Sequence, residues 1–449
     1  DRVSDGYGAS KKLFQKLISK KPNLVILVDC GSTSHEAIEF LNQNNIKSIV
    51  IDHHEINKPY PKSNIIVNPK KDNGYLEYDY LCATALTYFF LEMLIKKIKS
   101  NFKISDLLIY VLLATICDVM PLRKLNKIIA SNVLKNFKIN KYIALESLLK
   151  ISGTSKSLET DDLGYLIGPI INAGGRLGYS KLGVELLTSN DPNIVKLKSQ
   201  KLFDLNNKRK KIEKNILEEI DFKKIENQNK NIIIYYNPNI NEGLIGIIAA
   251  RLKEHFNKPS IVITKSNNIL KASARSTNSY NIGHVVKVLK DKKIIEKGGG
   301  HNMAAGFTIK KDNIKILDSF IQKDFSNKTH SSDLTFKYDL ELSSSAINNT
   351  LNTDIKKLGP FGNFNPLPTF LFKNFKIIKT TILDNKHVSA ILKPSTGRCV
   401  KAICFNCMIS NIGKYLLTNK KNINVIGQIH ENIWNNKKSI QLNIKDLIL

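Results

Sequence analysis

A chain of 449 residues with 42% hydrophobic and 24% charged content can bury several cores, which excludes wholesale disorder. Its 68 Lys and Arg against 39 acids leave a net charge of +29, which favours polyanionic partners and nucleic acid first. A bland alternative is the abundance of Lys, Asn and Ile throughout, as under AT-rich codon usage.

The first residue is Asp1 rather than Met, so an N-terminal portion, with any targeting signal, is expected to precede it. Residues 23–29 (NLVILVD) are predicted as a strand, followed by a helix through HEAIEFLNQ. A second strand spans residues 48–52 (SIVID), and helices begin near Leu81 and Ser105. Apolar strands separated by helices imply a parallel α/β sheet, whose ligands gather beyond the carboxyl ends of the strands. Both strands end on acids, Asp29 and Asp52, and the second adds His53 and His54, adjacent in a chain with nine histidines.

The apolar run 107–117 is shorter than the ~20 residues that cross a bilayer and meets Asp118 at once, so no membrane span is expected. Residues 169–178 (PIINAGGRLG) are predicted as a glycine-rich loop, and residues 193–227 as one long lysine-rich connecting helix. A second α/β unit follows, with strands at 231–236 and 260–264, a helix after Gly243, then ILKASARST and GGGHNMAAGFTI. Beyond a polar stretch near 326–333 the chain turns strand-rich, with its single tryptophan, Trp434, near the end, which suggests a small barrel or sandwich. Domains are therefore expected at 1–192, 193–227, 228–328 and 329–449.

Six cysteines, Cys30, Cys82, Cys117, Cys399, Cys404 and Cys407, are scattered and mostly in apolar surroundings, which reads as reduced and cytosolic. Cys404 and Cys407 form one CxxC without a second pair, so they are taken as core residues rather than a zinc site.

Asp29, His53 and Asp118 are the donor types that hold Mn²⁺ or Mg²⁺. A lone acid at a strand end commonly caps a helix or forms a turn, but three with a common destination fit ligation better. Asp118 also interrupts an apolar helix, where an unpaired charge is costly to bury. Asp52 is read as orienting an imidazole, or simply as ending its strand. The bland alternative for the histidines is one buried and one solvent-facing ring. Asn172, Gly174, Gly175 and Arg176 suit a phosphate or sugar contact. Ser273, Arg275 and Ser276, with a backbone nest at Gly299, Gly300 and His301, suit anion capture. Each of the last groups has an ordinary alternative, an exposed strand arginine or a glycine turn beside a histidine. Together they suit phosphodiester or pyrophosphate hydrolysis.

The run VIDHHE, with VDCGSTS before and ATICDVMPL after, resembles the DHH phosphoesterase superfamily, whose name is the triad Asp52, His53 and His54. GGGHNMAAGFTI resembles the signature of its DHH-associated second domain. Within the superfamily the chain is similar to the RecJ family of single-strand-specific exonucleases through DRVSDGYGAS, GPIINAGGRLG, LNNKRKKIE, GLIGIIAARLKE, ASARST, LGPFGNFNP and IWNNKKSIQLNIKD. The resemblance covers essentially the whole chain. It implies an α/β fold: a parallel-sheet DHH domain, a long linking helix, a second α/β DHH-associated domain and a C-terminal β-barrel (OB-fold).

By the same resemblance Asp29, His53 and Asp118 become metal ligands of a two-metal Mn²⁺ or Mg²⁺ site, with His54 and Asp52 as catalytic or supporting residues. Arg2, Asn172, Arg176, Ser273, Arg275, Ser276, Gly299, Gly300 and His301 become candidates for holding the terminal phosphate and backbone, and Tyr7 a base-stacking platform. The implied activity is removal of mononucleotides from the 5′ end of single-stranded DNA in repair and recombination, in the cytoplasm. Single-stranded DNA, a single-strand-binding protein and a helicase are the implied partners. Two departures stand out. The family's Asp-x-Asp-x-Asp-Gly motif would lie before Asp1, so by the resemblance the site within the chain as given is expected to be incomplete, with loss of activity the expectation for that piece alone. Ile240, Asn241, Glu242 and Gly243 stand where relatives usually carry Trp-His. The alternatives are a small-substrate relative, an oligoribonuclease, pyrophosphatase or cyclic-dinucleotide phosphodiesterase, and a non-catalytic DNA-binding relative.

Overall fold

The computed structural model describes residues 8–153, 158–266, 269–327, 337–408, 410–418, 422–434 and 437–448. Arg2 and Tyr7 lie outside the described residues. The chain divides into two compact units, one of residues 1–118 with 136–332 and one of residues 119–135 with 333–449. The segment 119–135 thus groups with the C-terminal part, although it lies in sequence within the expected first domain.

The first unit begins with α1 (Lys11–Leu17) and the strands β1 (Leu24–Val28), β2 (Lys47–Ile51) and β3 (Ile65–Val67), which form a parallel sheet in the order β1-β2-β3. Helix α2 (His35–Gln43) connects β1 to β2 and buries Ala37, Ile38 and Leu41, one face of a 3.6-residue period. Burying each such Leu or Ile contributes about 1.5–3 kcal/mol. On β1, Leu24, Ile26 and Val28 stay exposed while Leu27 is buried. Helices α3 (Ala83–Lys97) and α4 (Leu108–Cys117) follow, and α4 ends on Asp118.

After α5 (Lys124–Asn136), which falls largely in the second unit, come α6 (Ile143–Ile151), a π-helical turn over Asp162–Ile167, and α7 (Gly168–Arg176). The predicted loop at 169–178 is therefore mostly helix. Proline is tolerated in a helix's first turn, and the glycines permit close packing rather than a flexible turn. A Cβ on Gly168 would lie 2.4 Å from Cys117 Sγ, and one on Gly174 would lie 2.8 Å from the Tyr179 carbonyl oxygen.

Helix α8 (Lys181–Thr188) leads to α9 (Pro192–Glu219), which Asp191 caps by accepting from the Asn193 and Ile194 amides. The connecting helix does not reach residue 227. Ile220 is extended and buried in the adjoining core, and Asp221 caps a separate short helix, α10 (Phe222–Asn227), by accepting from the Lys224 amide.

The rest of the first unit is a five-stranded sheet with helices α11 (Ile245–Phe256), α12 (Ile282–Asp291) and α13 (Ile314–Asn327). Its strands are β4 (Ile233–Tyr236), β5 (Ser260–Ser266), β6 (Ile269–Arg275), β7 (Lys297–His301) and β8 (Ala304–Ile309), in the order β4-β5-β6-β8-β7. Only β4 and β5 pair in parallel; the others are antiparallel.

In the second unit, β9 (Leu340–Glu341), β10 (Phe370–Leu383), β11 (His387–Pro394), β12 (Val400–Cys404), β13 (Asn422–Trp434) and β14 (Lys437–Ile448) form one sheet. Pairings run β11-β12-β14-β13-β10-β9, and β10 also pairs with β11. Helices α14 (Asn349–Lys357) and α15 (Asn411–Thr418) accompany it. Phe372, Phe375, Val388, Leu392, Val425 and Leu442 fill its core, and Cys404 and Cys407 are buried there, as expected. All six cysteines are free. Among the described residues, no helix is long and apolar enough to cross a membrane.

Candidate metal centre

Three parallel strands end side by side, and each delivers a polar residue at its carboxyl end: Asp29 after β1, Asp52 after β2 and Asn68 after β3. The Asp29 amide donates to the Ile51 carbonyl at 3.0 Å, and its φ of 62° turns the chain out of the sheet. Aspartate tolerates this left-handed conformation better than most residues. Gly31, with φ 115°, then passes so close to β2 that a Cβ would lie 3.0 Å from both Val50 methyls. That approach brings the Ser32 amide to Asp52 Oδ2 at 3.0 Å.

Asp52 is buried, and its other oxygen accepts from the His53 amide at 2.8 Å, the His54 amide at 3.2 Å and His54 Nδ1 at 2.7 Å. Burial alone would raise this carboxyl, but hydrogen bonds from His54 and Ser32 outweigh it and hold it well below the usual carboxylate range. The same bond pushes the His54 imidazole up, against a smaller opposing effect of burial. Asp52 is therefore a fixed anion that sets the orientation of the histidine pair, rather than a mere strand end.

His53 points the other way. Its ring is buried, and Nε2 lies 3.4 Å from Asp29 Oδ1 and 3.2 Å from Asp118 Oδ2. Asp118, at the end of α4, is half-exposed; burial pushes its carboxyl up and Asp29 adds to this, while His53 and His54 oppose it. Ligand atoms of Asp29, His53 and His54 all lie within 4.8 Å of one another. Two carboxylates converging on one imidazole nitrogen are the oxygen-rich, borderline donor set that fits Mn²⁺ or Mg²⁺.

Sequence reasoning did not find Asn68. Its side-chain amide donates to Ser32 Oγ at 2.8 Å and to the His54 carbonyl at 2.9 Å, and its oxygen accepts from the Lys70 amide at 2.9 Å. This buried amide locks the two strand-end loops together. The signal was its place after β3, but a three-residue strand does not stand out in a sequence. Lys70 pairs with Glu55 at 2.7 Å.

The second sheet brings His301 to this centre, where its ring stacks on His54 with centroids 5.8 Å apart. Burial pushes the His301 imidazole down, helped by the charges of Lys70 and His54. The expected backbone nest is absent: Gly299, Gly300 and His301 lie in β7, paired with Gly306, Ala305 and Ala304 of β8. Glycine is needed at 300 because a Cβ would lie 2.4 Å from the Ala304 carbonyl oxygen.

Arg275 ends β6 and donates to Ser273 Oγ at 3.3 Å and to the Ala274 carbonyl at 2.8 Å. Gly246 on α11 leaves room for both, since a Cβ there would lie 3.0 Å from Arg275 Nη2. Ser276 does not join them. It is buried and donates to the Tyr280 carbonyl at 2.5 Å, so its hydroxyl closes a turn. Arg176 donates to the Gly243 carbonyl at 3.2 Å and ties α7 to the second sheet's entry, while Asn172 is exposed on α7. Gly174 is buried and Gly175 half-buried in the same helix, so neither forms an open phosphate loop.

Residues 5–115 match the DHH family, N-terminal domain, residues 229–327 the DHHA1 domain, and residues 338–446 the RecJ OB domain. Fold and site together define a DHH–DHHA1 protein with an appended OB domain. The chain is 30% identical over 434 residues to the single-stranded-DNA-specific exonuclease RecJ of Haemophilus influenzae, covering 90% of this chain and 74% of that protein. Identity to the Bacillus subtilis RecJ is 26% over 456 residues, covering 99% of this chain and 56% of that protein. The structure superposes on the crystal structure of RecJ in complex with Mn²⁺ from Thermus thermophilus with a TM-score of 0.82 at 22% identity, covering 98% of this chain and 64% of that one. The chain belongs to the RecJ family of single-stranded-DNA-specific exonucleases. It spans a little over half the length of the Bacillus relative.

Proposed function

We propose that this protein is a metal-dependent exonuclease that degrades single-stranded DNA from the 5′ end to mononucleotides. The observation that carries this reading is the convergence of Asp29 and Asp118 on His53 Nε2, in a chain whose relatives are named for that activity. Asp29, His53 and Asp118 would hold Mn²⁺ or Mg²⁺, the ions bound in two Thermus thermophilus RecJ crystal structures. When bound, such ions in a paired site supply Lewis acidity and a water activated near neutral pH.

The chain's own residues do the rest. Asp52 fixes the His54 ring and favours its protonated form, which suits it to donate a hydrogen bond to a developing phosphate charge. Arg275, held by Ser273, offers a planar fork for a terminal phosphate, and His301 stands beside His54. The OB domain and the net charge of +29 suit retention of a single strand. They also disfavour the small-substrate alternatives. Free cysteines suit a reducing cytoplasm. A helicase and a single-strand-binding protein are the partners that would supply its strand in repair and recombination.

The test compares long single strands labelled at either end with dinucleotides, in Mn²⁺. Mononucleotides should leave the 5′ label first. Preference for dinucleotides, or earlier loss of the 3′ label, would overturn the reading, and binding without cleavage would favour the non-catalytic alternative.

A further inference from the structure

The motif LGPFGNFNP carries no role in the chemistry above, yet the second unit builds it into a rigid display. Gly362 and Asn365 exchange backbone hydrogen bonds of 3.0 and 3.1 Å, and the Asn365 amide donates to the Pro360 carbonyl at 2.8 Å. Asn363 is pinned twice, donating from its side chain to the Val119 carbonyl at 2.6 Å and accepting from the Leu122 amide at 2.7 Å. Leu122 itself is fully buried.

At the tip sits Phe364 with φ 59°. That conformation crowds the Cβ of an L-residue against the following carbonyl, and a glycine would adopt it without that cost. The ring gains no burial in exchange, being 69% exposed. A bulky residue in strained backbone that the fold does not require is a mark of function. The Arg123 guanidinium lies 5.6 Å from the ring centroid, and exposed Lys124 follows it. An exposed aromatic ring with a guanidinium over it matches the chemistry of a nucleotide, a flat π system joined to phosphates.

We propose that Phe364 and Arg123 form a base-stacking step on the second unit. One base of a single strand lies on the Phe364 ring while Arg123 and Lys124 meet the flanking phosphates. Stacking accepts every base, so this contact adds affinity without sequence preference. The inference rests on the single-strand reading and extends it to a named contact.

Binding of oligothymidylate and of an abasic strand of equal length, measured in EDTA on the whole protein, tests it. Phe364→Ala should weaken oligothymidylate binding about five- to tenfold and change abasic-strand binding by less than about twofold. Phe364→Trp should keep the affinity, and its emission, added to that of Trp434, should be quenched by oligothymidylate. Phe364→Gly relieves the backbone, so it should lose affinity like Phe364→Ala with its melting temperature within about 2 °C of the parent. Unchanged affinity in Phe364→Ala, or equal losses on both strands, would sink the stacking step alone. A parent protein that binds neither strand would sink the single-strand reading and the step with it.

Discussion

Asp52 Oδ1 accepts from His54 Nδ1 at 2.7 Å, and the same oxygen also receives the His54 backbone amide. One buried carboxylate atom thus holds one histidine at two points. Its charge and the ring's charge support each other, with opposite consequences for stability on the two sides of neutral pH.

Asp52 has a folded pKa below its unfolded value of about 3.9, so its contribution is present above that pH and lost as pH falls. His54 has a folded pKa above its unfolded value of about 6.5, so its contribution is complete below that pH and lost as pH rises through the folded value. In metal-free protein, Asp52→Asn should remove both dependences and cost about 1.5–3 kcal/mol near pH 6, the range for a hydrogen bond to a charged group. Urea unfolding from pH 3 to 9 measures this. Superimposable stability profiles for parent and variant would show that the bond carries no charge dependence.

His53→Ala removes the nitrogen on which Asp29 and Asp118 converge. Mn²⁺ affinity, followed by calorimetry, should fall by more than about 100-fold, beyond the 10–100-fold typical of a lost supporting partner. Cleavage should vanish, while single-strand binding, which depends on a distributed basic surface, should be largely spared. Retention of Mn²⁺ affinity would place the ion elsewhere.

Arg275→Lys keeps the charge and loses the planar fork that Ser273 and the Ala274 carbonyl hold in place. Affinity for a 5′-phosphorylated strand should drop about tenfold, and affinity for a 5′-hydroxyl strand should barely change. Equal losses on the two strands would make Arg275 a general backbone contact rather than an end reader.

Gly168→Ala drives a Cβ to 2.4 Å from Cys117 Sγ, one residue before Asp118. Overpacking of this kind costs about 1–3 kcal/mol, and here the strain falls on the end of α4 that carries Asp118. The variant should unfold at lower urea concentration and bind Mn²⁺ more weakly than the parent. A second change, Cys117→Ala, should restore part of both, the remainder reflecting the Leu163 carbonyl oxygen 2.9 Å from the added Cβ.

The acids of the candidate site were legible because strand-end acids and an interrupted apolar helix are local patterns: Asp29, Asp52 and Asp118 each sit where a hydrophobic run stops. What the sequence hid was the reason for its glycines. At Gly168 the missing side chain makes room for Cys117 on another helix, and at Gly174 and Gly300 for the carbonyls of Tyr179 and Ala304 where the chain folds back; such a glycine looks the same on paper as one in a turn. For that reason the glycine pattern reads as a loop at α7 and a nest at β7, where the structure has a helix and a strand. Ser276 misled similarly, since only the fold reveals that its hydroxyl is committed to Tyr280. The break between α9 and α10 was hidden in a stretch rich in helix formers; burial of Ile220 overrides that propensity there.

The stacked rings of His54 and His301 have a further consequence for their proton chemistry. His54 is raised by Asp52 and His301 is lowered by burial and by the charge of His54, so the two imidazoles load in order rather than independently. The first proton settles on His54 and discourages the second. Over the intervening pH range the centre therefore offers a cationic ring face to face with a neutral one, 5.8 Å apart. In metal-free protein, deleting the His54 ring should therefore relieve part of the downward push on His301, beside the larger effects of burial and Lys70.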